Sequence, residues 1–279
     1  MEPDSPAAPA PDHAVVSFPA VNYFDSPLAA RRYAAHRPRG HAEVLAFLRE
    51  TLAGSLPVGR AADVGCGTGH STVALLPYAA TVVGIDPSSE MLKQAERHPQ
   101  IEYRRGYAEA LPVRASEFDL VSVSSAYHWF DQERFLAEAA RVLRPDGWLV
   151  LYKTGSVGRI SGRPEFDVWR REVLKARYPK IERHGERLTL ELATACGFAE
   201  LACDTFAVTR SYTLDEYVEN LLTHSSVIRV VERGPEPVDA VRQWLRSELA
   251  AYFAAGSAEF THESWIQVFR QGIVTRSSP

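Results

Sequence analysis

Asp63-Val-Gly-Cys-Gly-Thr-Gly-His70 is a glycine-rich stretch that follows one short apolar run and precedes a second, Val82-Val-Gly-Ile-Asp86, which ends in a carboxylate. Glycine has no Cβ, so it lets a ligand approach the backbone and tolerates the positive φ angles of a tight turn between strand and helix. An acidic residue at the end of the next strand can accept hydrogen bonds from ribose hydroxyls in open α/β sheets. The two stretches therefore predict a nucleoside-binding site at the carboxyl edge of a parallel sheet.

The spacing of the glycines bears on which nucleoside is bound. Dinucleotide-binding turns have the pattern Gly-x-Gly-x-x-Gly, in which the third glycine lets helix and strand pack closely. Here the glycines are Gly65, Gly67 and Gly69, and His70 occupies the third position of that pattern. The spacing therefore disfavours an NAD(P)-dependent oxidoreductase, and no clear Tyr-x-x-x-Lys catalytic pair supports one.

Composition and charge limit the classes of partner. The 279 residues are 46% hydrophobic and carry a net charge of −4, so the chain can form a large core and lacks a strongly basic, nucleic-acid-binding composition. The cysteines, Cys66, Cys196 and Cys203, lack metal-ligand spacing and are odd in number. No apolar run reaches the roughly 18 residues of a membrane span, and the N-terminus lacks a secretory signal. We therefore expect a cytoplasmic protein with no metal, no nucleic-acid partner and no membrane partner, while its oligomeric state is not predicted.

Alternation of apolar strands with helices indicates the fold class. β-branched, apolar strands separated by helices are typical of a mostly parallel sheet with helices on both faces. We predict an α/β, Rossmann-like, doubly wound, mostly parallel seven-stranded sheet with one antiparallel edge strand and a helical cap. The strands are predicted over 61–64, 81–85, 101–105, 120–124, 148–152, 206–212 and 263–270, the last being antiparallel.

The chain divides into four predicted regions. Residues 1–20 contain five prolines and predict a disordered N-terminal arm. Residues 21–58 form an N-terminal helical segment, 59–155 the nucleotide-binding core, and 156–279 a C-terminal half that completes the sheet. Within this half, helical patterns over 213–230 and 237–254 have no strand between them, and we expect them to form a cap over the substrate side.

Three stretches place functional side chains where predicted strands end. Asp86 is followed one helical turn later by Met91, whose thioether can pack against a flat base. After the third strand, the backbone N–H of Ala108 can meet an adenine ring nitrogen and Glu109 can accept from the exocyclic amine. After the fourth strand comes Ser124-Ser-Ala-Tyr-His-Trp-Phe-Asp131, an aromatic run that we expect to line a pocket.

Taken together, residues 63–153 resemble the S-adenosylmethionine (SAM)-binding core of the class I methyltransferases, over about a third of the chain. The resemblance implies that SAM is the cofactor, that Asp86 binds the ribose and that Met91 packs on adenine. It also implies that the turn holds the methionine portion of SAM through Asp63, Gly65, Gly67 and Gly69, with Ser124 close to the transferred methyl group.

Two segments are similar to the trans-aconitate methyltransferases and their small-molecule relatives. Tyr33-Ala-Ala-His-Arg37-Pro resembles their N-terminal segment, and Leu221-Leu-Thr-His224-Ser resembles part of their cap. The resemblance assigns Tyr33 and Arg37 to the cofactor side. The acceptor side is expected to contain the catalytic candidate His128 and the substrate-binding candidates Tyr127, Trp129 and His224.

These assignments predict methyl transfer from SAM to a small-molecule acceptor, with oxygen favoured. A carboxylate is nucleophilic at neutral pH and needs no base, whereas a hydroxyl acceptor would use a group such as His128, because an ordinary histidine titrates near neutrality. The alternatives are an NAD(P)-dependent Rossmann oxidoreductase and a non-catalytic SAM-binding module.

Overall fold

The computed structural model describes residues 22–155, 157–181, 183–234, 236–253 and 255–272, so the predicted N-terminal arm over 1–20 lies outside the described residues. Within these ranges, none of the helices combines the length and the apolar composition that a bilayer-spanning helix requires.

The strands are β1 Val58–Val64, β2 Ala79–Asp86, β3 Ile101–Arg105, β4 Phe118–Ser124, β5 Leu143–Lys153, β6 Arg159–Ile160, β7 Phe198–Thr213 and β8 Ser257–Gln271. The α-helices are α1 Pro27–His36, α2 Ala42–Thr51, α3 His70–Ala74, α4 Ser89–Lys93, α5 Gln132–Val142, α6 Pro164–Trp169, α7 Lys175–Arg177, α8 Leu190–Ala195, α9 Leu214–Leu221, α10 Ser225–Arg233 and α11 Val238–Leu249.

The strands form one mixed sheet in the order β3-β2-β1-β4-β5-β8, with β7 on the far side of β8. Strands β1 to β5 pair in parallel, and β8 pairs antiparallel with both β5 and β7. The predicted fold class is therefore confirmed. The antiparallel strand lies one position in from the edge, because β7 pairs along its length, and the two-residue β6 adds a short strand to the seven that were predicted.

Apolar side chains from alternate strand positions cover both faces of the sheet. Val83 and Val121 pack on one face beneath Phe135 of α5, whereas Val82 and Leu120 pack on the other with residues of α2. Burial of such side chains contributes about 1.5–3 kcal/mol each relative to exposure. The carboxyl ends of β1, β2 and β4 are held at one edge by this two-sided packing.

The C-terminal half contains a separate apolar cluster beneath α9, α10 and α11. The helix predicted over 213–230 is divided into α9 and α10. The reason is that both the hydroxyl and the backbone N–H of Thr223 donate hydrogen bonds to the carbonyl oxygen of Asn220, at 2.6 and 3.0 Å. These tight bonds end the first helix. The break directs residues 223–226 toward a large cavity.

Candidate functional site

The glycine turn follows β1, and its three glycines have positive φ angles of +72°, +55° and +79° at positions 65, 67 and 69. A Cβ on Gly69 would lie 2.2 Å from the hydroxyl of Tyr103, so this glycine permits close packing against β3. A Cβ on Gly67 would meet no atom within 4 Å. Gly67 faces a small cavity that its own backbone lines, which leaves space for a ligand against that backbone.

Asp86 ends β2 and contacts the glycine turn. Its Oδ2 accepts a hydrogen bond from the N–H of Gly67 at 2.8 Å, and its Oδ1 accepts from the N–H of Ser88 at 2.9 Å. The side chain is buried, and desolvation raises the pKa of the carboxyl to about 6. Each carboxylate oxygen can accept more than one hydrogen bond, so both retain capacity for hydroxyl donors of a ligand.

Asp63 lies behind the turn and is fully buried. Its Oδ2 accepts from the hydroxyls of Ser71 and Thr72, both at 2.7 Å, which attaches the first turn of α3 to the end of β1. Burial raises the pKa of Asp63 to about 6. Its Oδ1 is buried without a hydrogen-bond partner among the described residues, an arrangement that fits a donor supplied by a ligand.

The remaining cofactor-side candidates occupy neighbouring positions. Met91 is buried in α4, and its N–H donates to Ser88 Oγ at 3.1 Å. Ala108 is buried after β3, and the adjacent Glu109 accepts from the N–H of Asp131 at 2.9 Å, which joins this loop to the start of α5. Ser124 ends β4 and lines the small cavity.

Tyr33 and Arg37, at the end of α1, line the small cavity and also a second, larger one. The guanidinium carbon of Arg37 lies 5.4 Å from the centre of the Tyr33 ring, and Nη1 donates to Thr223 Oγ1 at 3.5 Å. Ser125, which follows β4, also lines both cavities. These side chains therefore form the boundary at which the two cavities meet.

The larger cavity has a volume of about 680 Å³, which is in the range of small-molecule sites. Its walls come from the 3₁₀ turn Tyr127–Trp129, the π-helical segment Arg170–Leu174, the segments 178–181 and 183–186, and the break after α9. Among the described residues, the cationic side chains that line it are Arg37, Lys153, Arg170, Lys175, Lys180 and Arg183, and the acidic ones are Glu186 and Glu263. The lining thus has an excess of positive charge.

Arg183 forms the centre of one wall of this cavity. Its Nη1 donates to Nε2 of His128 at 2.9 Å, and its Nη2 donates to Ser225 Oγ. Its guanidinium carbon lies 4.4 Å from the centre of the Trp129 ring. Burial lowers the pKa of Arg183; the charge of Glu186 opposes this shift and that of Arg37 adds to it.

The structure brings some of the predicted acceptor-side residues together and separates one of them. His128, Trp129 and His224 line the large cavity. Tyr127 does not line it: the side chain is 2% exposed and packs in the core against Phe130 and Phe135, with ring centres 6.5 and 6.0 Å apart. Tyr127 was predicted to face the acceptor, but its side chain lies in the core instead.

The basicity of His128 is much lower than that of an ordinary histidine. Burial, reinforced by the charge of Arg183, lowers its pKa from 6.5 to about 3. At neutral pH the ring is neutral and its Nε2 accepts from Arg183, which makes it a weak proton acceptor. The environment favours a role in holding Arg183 over one in proton transfer.

Sequence reasoning missed Arg183, Lys153 and Thr223. The loop over 178–186 has no hydrophobic periodicity, and its one signal was the presence of Lys180, Arg183 and His184 within five positions. Its contact with His128 depends on how the chain folds back, which no local pattern specifies.

Comparisons with known proteins identify similar chains. Residues 62–151, which include the glycine turn and Asp86, match the family model Methyltransf_11, described as a methyltransferase domain. The chain is 33% identical over 183 residues to the uncharacterized methyltransferase Rv3342 of Mycobacterium tuberculosis, covering 60% of this chain and 75% of the relative. It is 32% identical over 218 residues to the uncharacterized protein YafE of Escherichia coli, covering 73% of this chain and 96% of that protein. A solved protein from Anaeromyxobacter dehalogenans, whose name proposes a type II methyltransferase, is similar over 85% of this chain and 96% of its own, with 25% identity and a TM-score of 0.56.

Proposed function

Because the chain belongs to this methyltransferase-domain family and is a SAM-dependent methyltransferase, we propose that it methylates a carboxylate oxygen of a small organic acid. The family membership supports methyl transfer over the NAD(P)-dependent oxidoreductase and the non-catalytic module that the sequence left open. The similarity of segments 33–38 and 221–225 to the trans-aconitate methyltransferases supports an acceptor of this class, and we propose membership of that small-molecule subgroup.

The observation that carries the proposal is the charge of the large cavity. Its cationic side chains attract an anion and disfavour a protonated amine. A hydroxyl acceptor would benefit from a base with a pKa near neutrality, and His128, with a pKa of about 3, is far from that value. A carboxylate is already deprotonated at neutral pH, so it satisfies both conditions.

The residues of the glycine turn and of the strand ends beside it fit SAM. We propose that the backbone at Gly67 contacts the methionine portion, that Asp86 accepts from the ribose hydroxyls and that the free Oδ1 of Asp63 accepts from a donor of the methionine portion. When bound, SAM supplies a methyl group on a positively charged sulfur that is a good leaving group. Met91, Ala108 and Glu109 are proposed for the adenine side, and Gly65, Gly69 and Ser124 for the turn and methyl side.

The proposed catalytic contribution of the protein is alignment and exclusion of water. Tyr33, Arg37 and Ser125 line both cavities, so an acceptor held in the large cavity lies next to the methyl side of the small one. We propose that the cap over 213–254 closes the acceptor side, since residues 223–226 already form part of its wall. No proton has to be removed from a carboxylate acceptor.

A methyl-transfer screen with matched acceptors tests the proposal. Purified protein and SAM carrying a labelled methyl group are incubated with carboxylic acids, and separately with the primary amides, alcohols and amines of the same carbon skeletons. We expect methyl esters from one or more acids and no methylated product from the matched compounds. Methylation of an amine or alcohol without any ester would contradict the proposal.

A further inference from the structure

We propose that Arg183 is the residue that binds the acceptor carboxylate, with His128 and Trp129 acting as positioning residues that hold its guanidinium. The inference rests on the proposed function for the chemical class of the acceptor. It assigns recognition to one side chain of the cavity, and it gives His128 a role other than that of a base.

The backbone on either side of Arg183 is attached to the rest of the site. The N–H of His184 donates to His128 O at 3.1 Å, and Gln132 Nε2 donates to Gly185 O at 2.7 Å. Lys153 forms an ion pair with Glu186 at 2.6 Å. The loop is therefore fixed against the 3₁₀ turn that carries Trp129, and Arg183 has a defined starting point.

The guanidinium is held by neutral groups. Nη1 donates to His128 Nε2 at 2.9 Å, Nη2 donates to Ser225 Oγ, and the Trp129 ring lies beneath the plane at 4.4 Å. Among the residues that the structure describes, no carboxylate forms an ion pair with Arg183. Arg183 keeps exposed surface in the cavity, and Glu186, which acts on it electrostatically, is itself paired with Lys153. An incoming carboxylate can therefore add a direct, charge-assisted contact to the guanidinium.

The hydrogen-bonding capacity of Arg183 matches a carboxylate. A guanidinium carries five N–H donors in one plane, and His128 and Ser225 accept only two of the hydrogen bonds. Planar, paired N–H donors bind both oxygens of a carboxylate, which an ammonium group does less well. Because a guanidinium can only donate, His128 accepts at Nε2 as the neutral Nδ1–H tautomer, and its depressed pKa favours this neutral form.

The location is also suitable for methyl transfer. Trp129, which supports Arg183, is 6.2 Å from Phe24 between ring centres, and Phe24 is 5.9 Å from Tyr33. Tyr33 lies at the boundary between the two cavities. A continuous aromatic wall thus connects Arg183 with the side from which the methyl group arrives.

The test compares acids with neutral isosteres on the protein saturated with S-adenosylhomocysteine. Benzoate, benzamide, hexanoate and hexanamide are titrated against wild type, Arg183→Met, Arg183→Lys and Arg177→Met by ligand-observed NMR. Arg177→Met is a matched control, because the Arg177 guanidinium carbon also lies 4.4 Å from a tryptophan ring, that of Trp244, and does not line the cavity. Circular dichroism and affinity for S-adenosylhomocysteine verify the fold of each variant.

We expect wild type and Arg177→Met to bind an acid at least tenfold more tightly than its amide. Arg183→Met should lose that preference, through the loss of charge-assisted hydrogen bonds corresponding to about 10- to 100-fold in affinity, and Arg183→Lys should recover part of it. The inference would be overturned if Arg183→Met kept the preference for the acid over its amide, or if the wild-type protein showed no such preference. Acids that bind through Arg183 without forming esters would instead contradict the proposed function and leave this assignment standing.

Discussion

Gly67 donates its backbone N–H to Oδ2 of Asp86 at 2.8 Å, across 19 positions of sequence. The hydrogen bond joins the glycine turn after β1 to the carboxylate at the end of β2. The same carboxylate also accepts from Ser88, which begins the next helix. One buried acid therefore fixes both the glycine turn and the start of the following helix.

Substitution of Asp86 should weaken cofactor binding. Asp86→Asn retains the shape of the side chain and one acceptor oxygen but removes the charge and the second acceptor. We expect the affinity for SAM, measured by calorimetry, to fall about 10- to 100-fold, because charge-assisted hydrogen bonds to the ribose are lost. Asp119→Asn serves as a control, because Asp119 lies near the amino end of β4, whereas the turn follows the carboxyl end of β1. Unchanged SAM binding by Asp86→Asn would remove the ribose assignment.

A side chain at Gly67 should obstruct the cofactor. Gly67→Val places a branched side chain in the open space beside the turn and strains a backbone whose φ is +55°. SAM and S-adenosylhomocysteine should both fail to bind. Gly54→Val is the matched control, since Gly54 has a φ of +84° and nothing within 4 Å of its ideal Cβ, so it carries similar strain away from the site. Normal binding by Gly67→Val would show that this face of the turn does not contact the cofactor.

The pH dependence of the reaction should be independent of His128. With a pKa of about 3, the ring stays neutral throughout the range from pH 6 to 8.5. His128→Gln should retain SAM affinity and raise the acceptor KM, while kcat shows the same pH profile as wild type. A limb near neutrality that disappears in His128→Gln would identify a general base and support a hydroxyl acceptor.

His128 should also affect stability in acid. Its folded pKa of about 3 is below the ordinary value of 6.5, so between these values the unfolded chain binds more protons than the folded one. Its contribution to stability is present above pH 6.5 and is lost as the pH falls toward 3. The free energy of unfolding, measured by urea titration, should therefore decrease more steeply over this interval for wild type than for His128→Gln; equal slopes would contradict the depressed pKa.

Trp129 should affect acceptor binding more than cofactor binding. Trp129→Ala removes the ring beneath Arg183 and opens the aromatic wall shared with Phe24. We expect the acceptor KM to rise about tenfold or more through loss of the cation–π contact and of apolar area, with SAM affinity close to wild type. A large loss of SAM affinity with unchanged acceptor KM would place Trp129 on the cofactor side instead.

The strands of the parallel sheet and the closeness of the glycine turn to Asp86 were predictable, because apolar periodicity identifies strands and parallel strands end at a common edge. The position of Tyr127 was not. In a 3₁₀ turn of three residues per turn, neighbouring side chains point about 120° apart, so Tyr127 enters the core while Trp129 faces the cavity.

Arg183 could not be located from sequence, since its position depends on hydrogen bonds from its loop to residues more than fifty positions away. The break between α9 and α10 was also missed. It depends on one threonine hydroxyl that bonds a carbonyl three residues earlier. Local propensity does not specify either contact.

The central claim is that the methyl group is transferred to a carboxylate, and the chemistry of the labelled product tests it most directly. Protein is incubated with [methyl-¹³C]SAM and a mixture of carboxylic acids, and the labelled product is then treated with mild alkali. We predict that the label appears as a methyl ester by NMR and that alkali releases it as methanol. A labelled product that survives alkali as an ether, an N-methyl or a C-methyl compound would contradict the account.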